Sequence, residues 1–313
     1  MQNAFSGILR LNVTETTGKG DYTSRWTLKG EPEGMKSLSA TLVLLASCCT
    51  AQAQYNPWEQ ATSTYQAPAA AIGSYANGCL AGAKALPLAG EGYQVIRAQR
   101  HRFYGHPSLI TFISDYAKQL RSQGINNILI ADMSMPRGGQ FNYGHSSHQI
   151  GLDVDIWLRL EDDLLVTKQL ASPYAVSVVD KKNLVINKNT WKDEHKTMLK
   201  VAAQDERVAR IFINPIIKQQ LCDERETGDD WLQKIRPWWG HSSHMHVRLV
   251  CPTGDTQCNN QKPIAKGHGC DELSWWKEQL AKTPTFSKPQ KPKPLKTKPL
   301  PCEPLIKSLQ AKQ

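Results

Sequence analysis

The chain has 313 residues, 40% of them hydrophobic and nine of them tryptophan, enough to bury a full core and to exclude a disordered or fibrous protein. Its formal net charge of +10 is unevenly placed: residues 282–313 hold eight lysines, no arginine and one acid, and so carry seven of the ten. With no basic stripe in the body, the charge excludes a nucleic-acid binder, and the tail reads as a solvated segment or an electrostatic contact to a polyanionic surface.

Taken in chain order, residues 1–34 carry four positive and four negative charges and no apolar period, and read as an upstream extension. Met35-Lys36 opens a short apolar run to Ala46, and Ala51-Gln52-Ala53 supplies a small-x-small cleavage pattern. That predicts a signal peptide over residues 35–53, too short to span a bilayer as a mature helix. Leu45-Ala46-Ser47-Cys48 also fits a lipoprotein box, with Cys48 as the lipidated residue; soluble export is the preferred expectation. Six cysteines follow the leader (Cys79, Cys222, Cys251, Cys258, Cys270 and Cys302), and an even number in an exported chain implies disulfides, with fifteen connectivities open. Cys251 and Cys258 are close enough to clip one loop. The absence of a Cys-x-x-Cys pair argues against thiol ligation of zinc.

Residues 54–78 are polar and Ala/Ser-rich and read as an irregular lead-in to a globular domain over 54–281. Leu109, Ile113, Tyr116 and Leu120 share one face of a helix predicted over 106–124, which Gly124 ends. A short buried strand follows at 127–132, then a loop from 133 to 143 with Pro136 and two glycines. Residues 152–160 alternate, with Leu152, Val154 and Ile156 apolar and Asp153, Asp155 and Arg159 polar, predicting a strand with one face of each kind. A helix is expected at 194–204, a strand at 210–213, and a helix capped by Asn214-Pro215 that runs to Leu221. Another strand places Met245, Val247 and Leu249 on one face and His244, His246 and Arg248 on the other. Seven prolines among lysines make 284–304 an extended, polyproline-like segment of the 282–313 tail. These elements predict a single α+β domain with a mostly antiparallel sheet, disulfide-bonded and ending in a Pro/Lys-rich tail.

The chemistry sits in a repeated pentapeptide. Gly144-His145-Ser146-Ser147-His148 recurs as Gly240-His241-Ser242-Ser243-His244, so five of the nine histidines fall in two clusters. The first runs on to Asp153 and Asp155, the second ends in His-x-His. Imidazole and carboxylate suit a Zn²⁺ site that keeps one position open for water, and His148, Asp155 and His246 are read as its ligands. His148 and Asp155 lie an odd number of residues apart, so a turn at Gly151 must bring His148 in from a loop. His241 and His244 are left for general acid and base work, because imidazole titrates near neutral pH. A serine nucleophile is disfavoured by the missing Gly-x-Ser-x-Gly elbow.

His148-x6-Asp155 with His244-x-His246 resembles the zinc pattern of the lysostaphin, D-Ala-D-Ala carboxypeptidase and sonic hedgehog metallopeptidases. The runs Met135-Pro136 to Asn142-x-Gly144-His145, Ser147-His148-Gln149, Gly151 to Asp155, Phe212-x-Asn214-Pro215 to Cys222, and His244 to Leu249 resemble the penicillin-insensitive murein endopeptidase family more specifically. The resemblance covers roughly residue 72 to the end. It implies hydrolysis of D-alanyl to meso-diaminopimelyl crosslinks of peptidoglycan in the periplasm, with one active-site zinc on His148, Asp155 and His246. It leaves His241 or His244 as the base, and it implies disulfides Cys79–Cys302, Cys222–Cys270 and Cys251–Cys258. Some members bind a second metal through a residue matching His145 plus a downstream Asp and His; here Asp180 is present but Asn183 stands where that histidine is sought, which weakens both a second ion and a homodimer built on it. A zinc carboxypeptidase or dipeptidase of the same group, and a non-catalytic wall-binding module, are the alternatives.

Overall fold

The computed structural model describes residues 55–282 and 293–310. The chain divides into two units, Met1–Ala51 and Gln52–Gln313, and all described residues lie in the second. The expected extension over 1–34, the signal peptide, Cys48 and the part of the Pro/Lys segment at 283–292 lie outside the described residues.

A seven-stranded mixed sheet organises the domain, in the spatial order Ile235–Pro237, Val208–Ile213, His244–Leu249, Asp153–Trp157, Ile128–Ile130, Tyr93–Val95 and Ala89–Gly90. The pairings at its centre are antiparallel, as expected, but the Val208–Ile213 strand pairs in parallel with Ile235–Pro237, and Tyr93–Val95 with Ile128–Ile130. The reason is connectivity. A helix separates the two strands of each parallel pair, Pro215–Asp223 in one case and Pro107–Arg121 in the other, and such a crossover returns the chain in the same direction.

Both helices start where the sequence places a cap before proline. The His106 side chain accepts the Ser108 N–H at 3.2 Å, and Asn214 accepts the Ile216 N–H at 2.9 Å. Leu109, Phe112, Ile113, Tyr116 and Leu120 of the first helix are buried with Met198, Leu199 and Ala202 of the Asp193–Gln204 helix. They form one core with Val154, Ile156, Met245, Val247 and Leu249, the apolar face of the two central strands. The opposite face of those strands was expected to be polar. It is polar yet buried: Asp153 and Asp155 are 0% and 3% exposed, enclosed by contacts from His148, His246 and Arg248.

Residues 54–78 are not wholly irregular. Ala70–Ser74 and Asn77–Ala81 form an antiparallel hairpin with Ile72 opposite Cys79. Their Ala, Gly and Ser residues lack the β-branched pattern that marks a strand, and burial against the body supplies the stabilisation instead. Three disulfides are present, Cys79–Cys302, Cys222–Cys270 and Cys251–Cys258, the set the resemblance implies. The first ties the end of the chain to the hairpin. The extended reading of 284–304 is cut short, since Leu300–Cys302 is a 3-10 turn and Glu303–Gln310 an α-helix.

His195 joins the Asp193–Gln204 helix to the central strand. Its Nε2–H donates to the Leu158 carbonyl at 2.7 Å, since a carbonyl only accepts, and its Nδ1 accepts the Lys192 N–H at 2.9 Å. Burial pushes its pKa below the ordinary imidazole value of 6.5. The unfolded chain therefore binds a proton that the native imidazole refuses, and stability falls as pH drops below that value. We expect His195→Gln to cost about 1 kcal/mol at pH 7 and to flatten this fall. Urea unfolding of both proteins at pH 7 and pH 5 checks it, and an unchanged pH slope in the variant would remove His195 as the cause.

Candidate metal centre

The site is built on strand register. In the antiparallel pair of Asp153–Trp157 with His244–Leu249, His246 stands opposite Asp155, Arg248 opposite Asp153, and His244 opposite Trp157. Residues two apart share a face, so Asp153, Asp155, His244, His246 and Arg248 all project to the side away from the main core. His148 reaches this face from the preceding loop. The chain turns through Gly151 at φ +72°, and His148 itself holds φ +67°, a left-handed conformation that costs a non-glycine residue roughly 1–2 kcal/mol. The two pentapeptides are echoes in letters only. Gly144 and Gly240 both take positive φ, but the strained histidine is the fifth residue of the first copy, His148, and the second residue of the other, His241.

Asp155 is the hub. Its Oδ1 lies 3.1 Å from His246 Nδ1 and 3.4 Å from His148 Nε2, and its Oδ2 lies 3.2 Å from His145 Nε2 and 3.7 Å from His244 Nε2. One ligand atom each from His145, His148, Asp155 and His246 falls within 4.8 Å of the others. His148 Nε2 and Asp155 Oδ1 are buried and make no hydrogen bond among the described residues. Buried polar atoms without partners are costly, and a shared cation between them would satisfy both. Three imidazoles and a carboxylate are also a donor set that suits Zn²⁺ and related ions. The residues fit a metal.

A second layer supports the first. Asp153 accepts Arg248 Nε–H at 2.7 Å and the His148 backbone N–H at 2.9 Å, and its Oδ1 lies 3.2 Å from His246 Nε2. It thereby fixes the outer edge of one imidazole and the backbone of another. Arg248 is stacked over Tyr75 at 4.2 Å and Phe212 at 5.0 Å. Asp132 stands 3.5 Å from His145 Nε2 and is itself held by Arg102 at 2.9 Å. These partners were missed in the sequence, although Asp153 and Arg248 sit two positions from Asp155 and His246 and the same alternation could have found them.

Electrostatics agree with the geometry. Burial opposes ionisation of Asp153, but Arg248 and then His246 hold its carboxyl well below the usual range; for Asp155, likewise buried, His145, His148 and His244 do so. Burial also opposes the charged form of His246, yet Asp153 and Asp155 outweigh it and raise its pKa to about 9. His145 is raised, chiefly by Asp155, and fully buried His148 is pushed down to about 4. Two ionised carboxylates thus attract positive charge into the cluster.

His241 and His244 stand beside the four-residue group rather than in it, with ring centroids 4.8 Å apart. His241 Nδ1 lies 2.6 Å from the Trp239 carbonyl, which can only accept, so the proton sits on Nδ1 and Nε2 keeps its lone pair. Burial, then His244 and His246, lower the His241 pKa to about 4, and burial lowers that of His244. Asp180 spends its carboxylate on Lys182 and Asn183, at 2.7–3.1 Å, and joins no such group among the described residues. His145, sought for a second ion, lies in the same group as His148, Asp155 and His246.

The cluster defines a protein equipped to hold a metal ion in a cleft open to a ligand. A family profile described as penicillin-insensitive murein endopeptidase matches residues 71–307. Proteins named penicillin-insensitive murein endopeptidase are similar over most of the chain. The one from Escherichia coli K12 is 44% identical over 257 residues, 82% of this chain and 92% of its own. The one from Klebsiella pneumoniae is 43% identical over 256 residues, 81% and 93% respectively. The chain belongs to the penicillin-insensitive murein endopeptidase family.

Asp153→Asn should weaken metal affinity about 10- to 100-fold by loosening His246 and His148 without removing a ligand. Competition of the metal-loaded protein against a chromophoric chelator measures it; an affinity within threefold of the wild type would assign Asp153 to folding alone.

Proposed function

We propose that this protein is a zinc-dependent murein DD-endopeptidase that cuts the amide between D-alanine and meso-diaminopimelate in crosslinked peptidoglycan, in the periplasm. The observation that carries the reading is the convergence of His148 Nε2 and His246 Nδ1 on Asp155 Oδ1 at an open cleft, in a chain of this family.

His148, Asp155 and His246 would hold the ion, with His145 at its edge. When bound, such an ion supplies Lewis acidity toward the scissile carbonyl and acidifies water. The chain's own groups do the rest. Asp153 keeps the His246 ring oriented, and Arg248 neutralises Asp153 so that the carboxylate is tolerated in a buried place. His241 Nε2, unprotonated and lining the cleft with His246 and Trp238, accepts a proton from the attacking water and returns it to the departing amine. His244, 3.7 Å from Asp155, is the neighbouring imidazole able to stabilise the charge that this transfer creates on His241 or to share the proton. None of these roles forms an acyl-serine, which is why a β-lactam should not inhibit the reaction.

Among the described residues no helix is long and apolar enough to cross a membrane. Export by the signal peptide at residues 35–53 accounts for periplasmic placement in this proposal.

Chromatography of murein digested by the purified protein tests the function. Crosslinked dimers should become monomers, the conversion should stop with chelator and continue with penicillin, and His246→Ala should lose at least about a thousandfold of the rate. Intact dimers from folded, metal-loaded protein would sink the proposal.

A further inference from the structure

The cleft has two arms that meet at Gly144 and His145. One, of about 430 Å³, is walled by Trp238, Phe212, His241 and His246. The other, of about 680 Å³, is lined by Asp155, His244, Arg97, Arg100 and Arg102. Three guanidinium groups within six positions of one segment share this arm with three carboxylates, Glu59, Asp132 and Asp155, so what matters is which guanidinium those carboxylates leave free.

The three are not equivalent. Arg102 is committed to the fold, pairing with Asp132 at 2.9 Å and Glu59 at 3.5 Å and lying 3.8 Å over Phe141. Arg100 reaches Asp132 only at 3.5 Å, and its side chain is 44% exposed. Arg97 has no carboxylate at ion-pair distance among the described residues; its half-buried guanidinium lies 4.7 Å over the Trp157 ring. Burial and the like charge of Arg100 both disfavour its cation. The backbone holding these two side chains is strained. Arg97 at φ +55° and His101 at φ +53° bracket the 3-10 turn Ala98–Arg100, pinned by the Arg97 N–H to the Leu170 carbonyl at 2.8 Å. Left-handed conformations at two non-glycine residues persist where surrounding structure enforces them, and such sites cluster at ligand clamps.

Arg100 is connected to the metal cluster by consecutive contacts: 3.5 Å to Asp132, 3.5 Å from Asp132 to His145, and 3.2 Å from His145 to Asp155. A group held by Arg100 therefore lies in the same arm as Asp155 and His244, with Asp132 and His145 between Arg100 and Asp155. The planar fork of a guanidinium matches a carboxylate in two parallel hydrogen bonds. In the crosslink, the residue on the amine side of the scissile bond bears a carboxylate on the carbon next to the scissile nitrogen.

We propose that Arg97 and Arg100 form a carboxylate subsite that binds this amine-side carboxylate and so orients the scissile amide in the cleft. The subsite rests on the murein endopeptidase reading above and assigns the arginine-lined arm to the amine-side residue, with the scissile amide where the two arms meet, between His241 and His244. It makes the enzyme selective for crosslinks in which that carboxylate is free.

The test uses two crosslinked muropeptide dimers, one with the carboxylate free and one with it amidated, and the metal-loaded wild type, Arg97→Gln, Arg97→Lys and Arg100→Gln. The wild type should lose about 10- to 100-fold in kcat/KM on the amidated dimer, the loss expected for one charge-assisted contact. Arg97→Gln should fall to that level on the free dimer and cleave both alike, and Arg97→Lys should recover part of the preference. Arg100→Gln alters an exposed side chain and so tests the subsite even if Arg97→Gln unfolds; it should lower the preference severalfold. Calorimetric titration with the amine-side product should show weaker binding to both Gln variants, at unchanged metal content. If the wild type cleaves both dimers equally, or the variants keep the wild-type preference, the subsite is wrong while the endopeptidase reading stands. If the wild type cleaves neither dimer, both fall.

Discussion

The antiparallel register that sets His246 opposite Asp155 is the constraint on which the rest of the site depends. Side chains alternate along a strand, so a slip of one residue would turn Asp153, Asp155, His246 and Arg248 into the apolar core and bring Val154, Ile156 and Val247 to the cleft. The core forbids that slip, because Val154, Ile156, Met245 and Val247 pack against the two long helices. The hydrophobic effect therefore positions the chemistry: burying one face of two strands fixes where the other face presents its imidazoles and carboxylates.

Placing two ionised carboxylates on a buried face is unfavourable unless each is paired, and the structure meets this with nested partners. Arg248 neutralises Asp153, and Arg102 with Arg100 neutralises Asp132. Among the described residues Asp155 has only imidazoles within ion-pair distance, which leaves it as the anion a metal would neutralise. The end of the chain adds a further restraint. Lys293 donates to the His145 carbonyl at 3.0 Å and to Ser146 Oγ at 3.3 Å, and the Cys79–Cys302 disulfide anchors the segment that carries it. Part of a segment that reads as solvated and extended thus braces the loop bearing His145 and His148.

Much of this was legible in the chain. The helix at Pro107–Arg121, the strand at His244–Leu249 and the cap at Asn214 lie where their periods and cap signals put them. The hairpin at residues 70–81 was not legible, because alanine and glycine carry little strand signal and its stability comes from what covers it. Parallel pairing at the two flanks of the sheet was hidden too, since strand direction follows from which crossover helix packs where. In the site, histidines and aspartates were visible as letters, and the odd spacing of His148 from Asp155 already demanded the turn at Gly151.

The sequence by itself determined the donor types, their alternation on two strands and the family resemblance, because periodicity and residue chemistry are local properties. Only the tertiary structure decided which atoms face one another: His148 Nε2 and His246 Nδ1 on one oxygen of Asp155, His145 on the other, Asp153 behind His246, and the Arg97 guanidinium over the Trp157 ring. Such facts depend on register, on loop closure and on residues about ninety positions away, and no local pattern encodes them. The separation has a physical cause. A side chain's chemistry is carried by its own atoms, but its pKa, its tautomer and its partner are set by whatever the fold brings within a few ångströms.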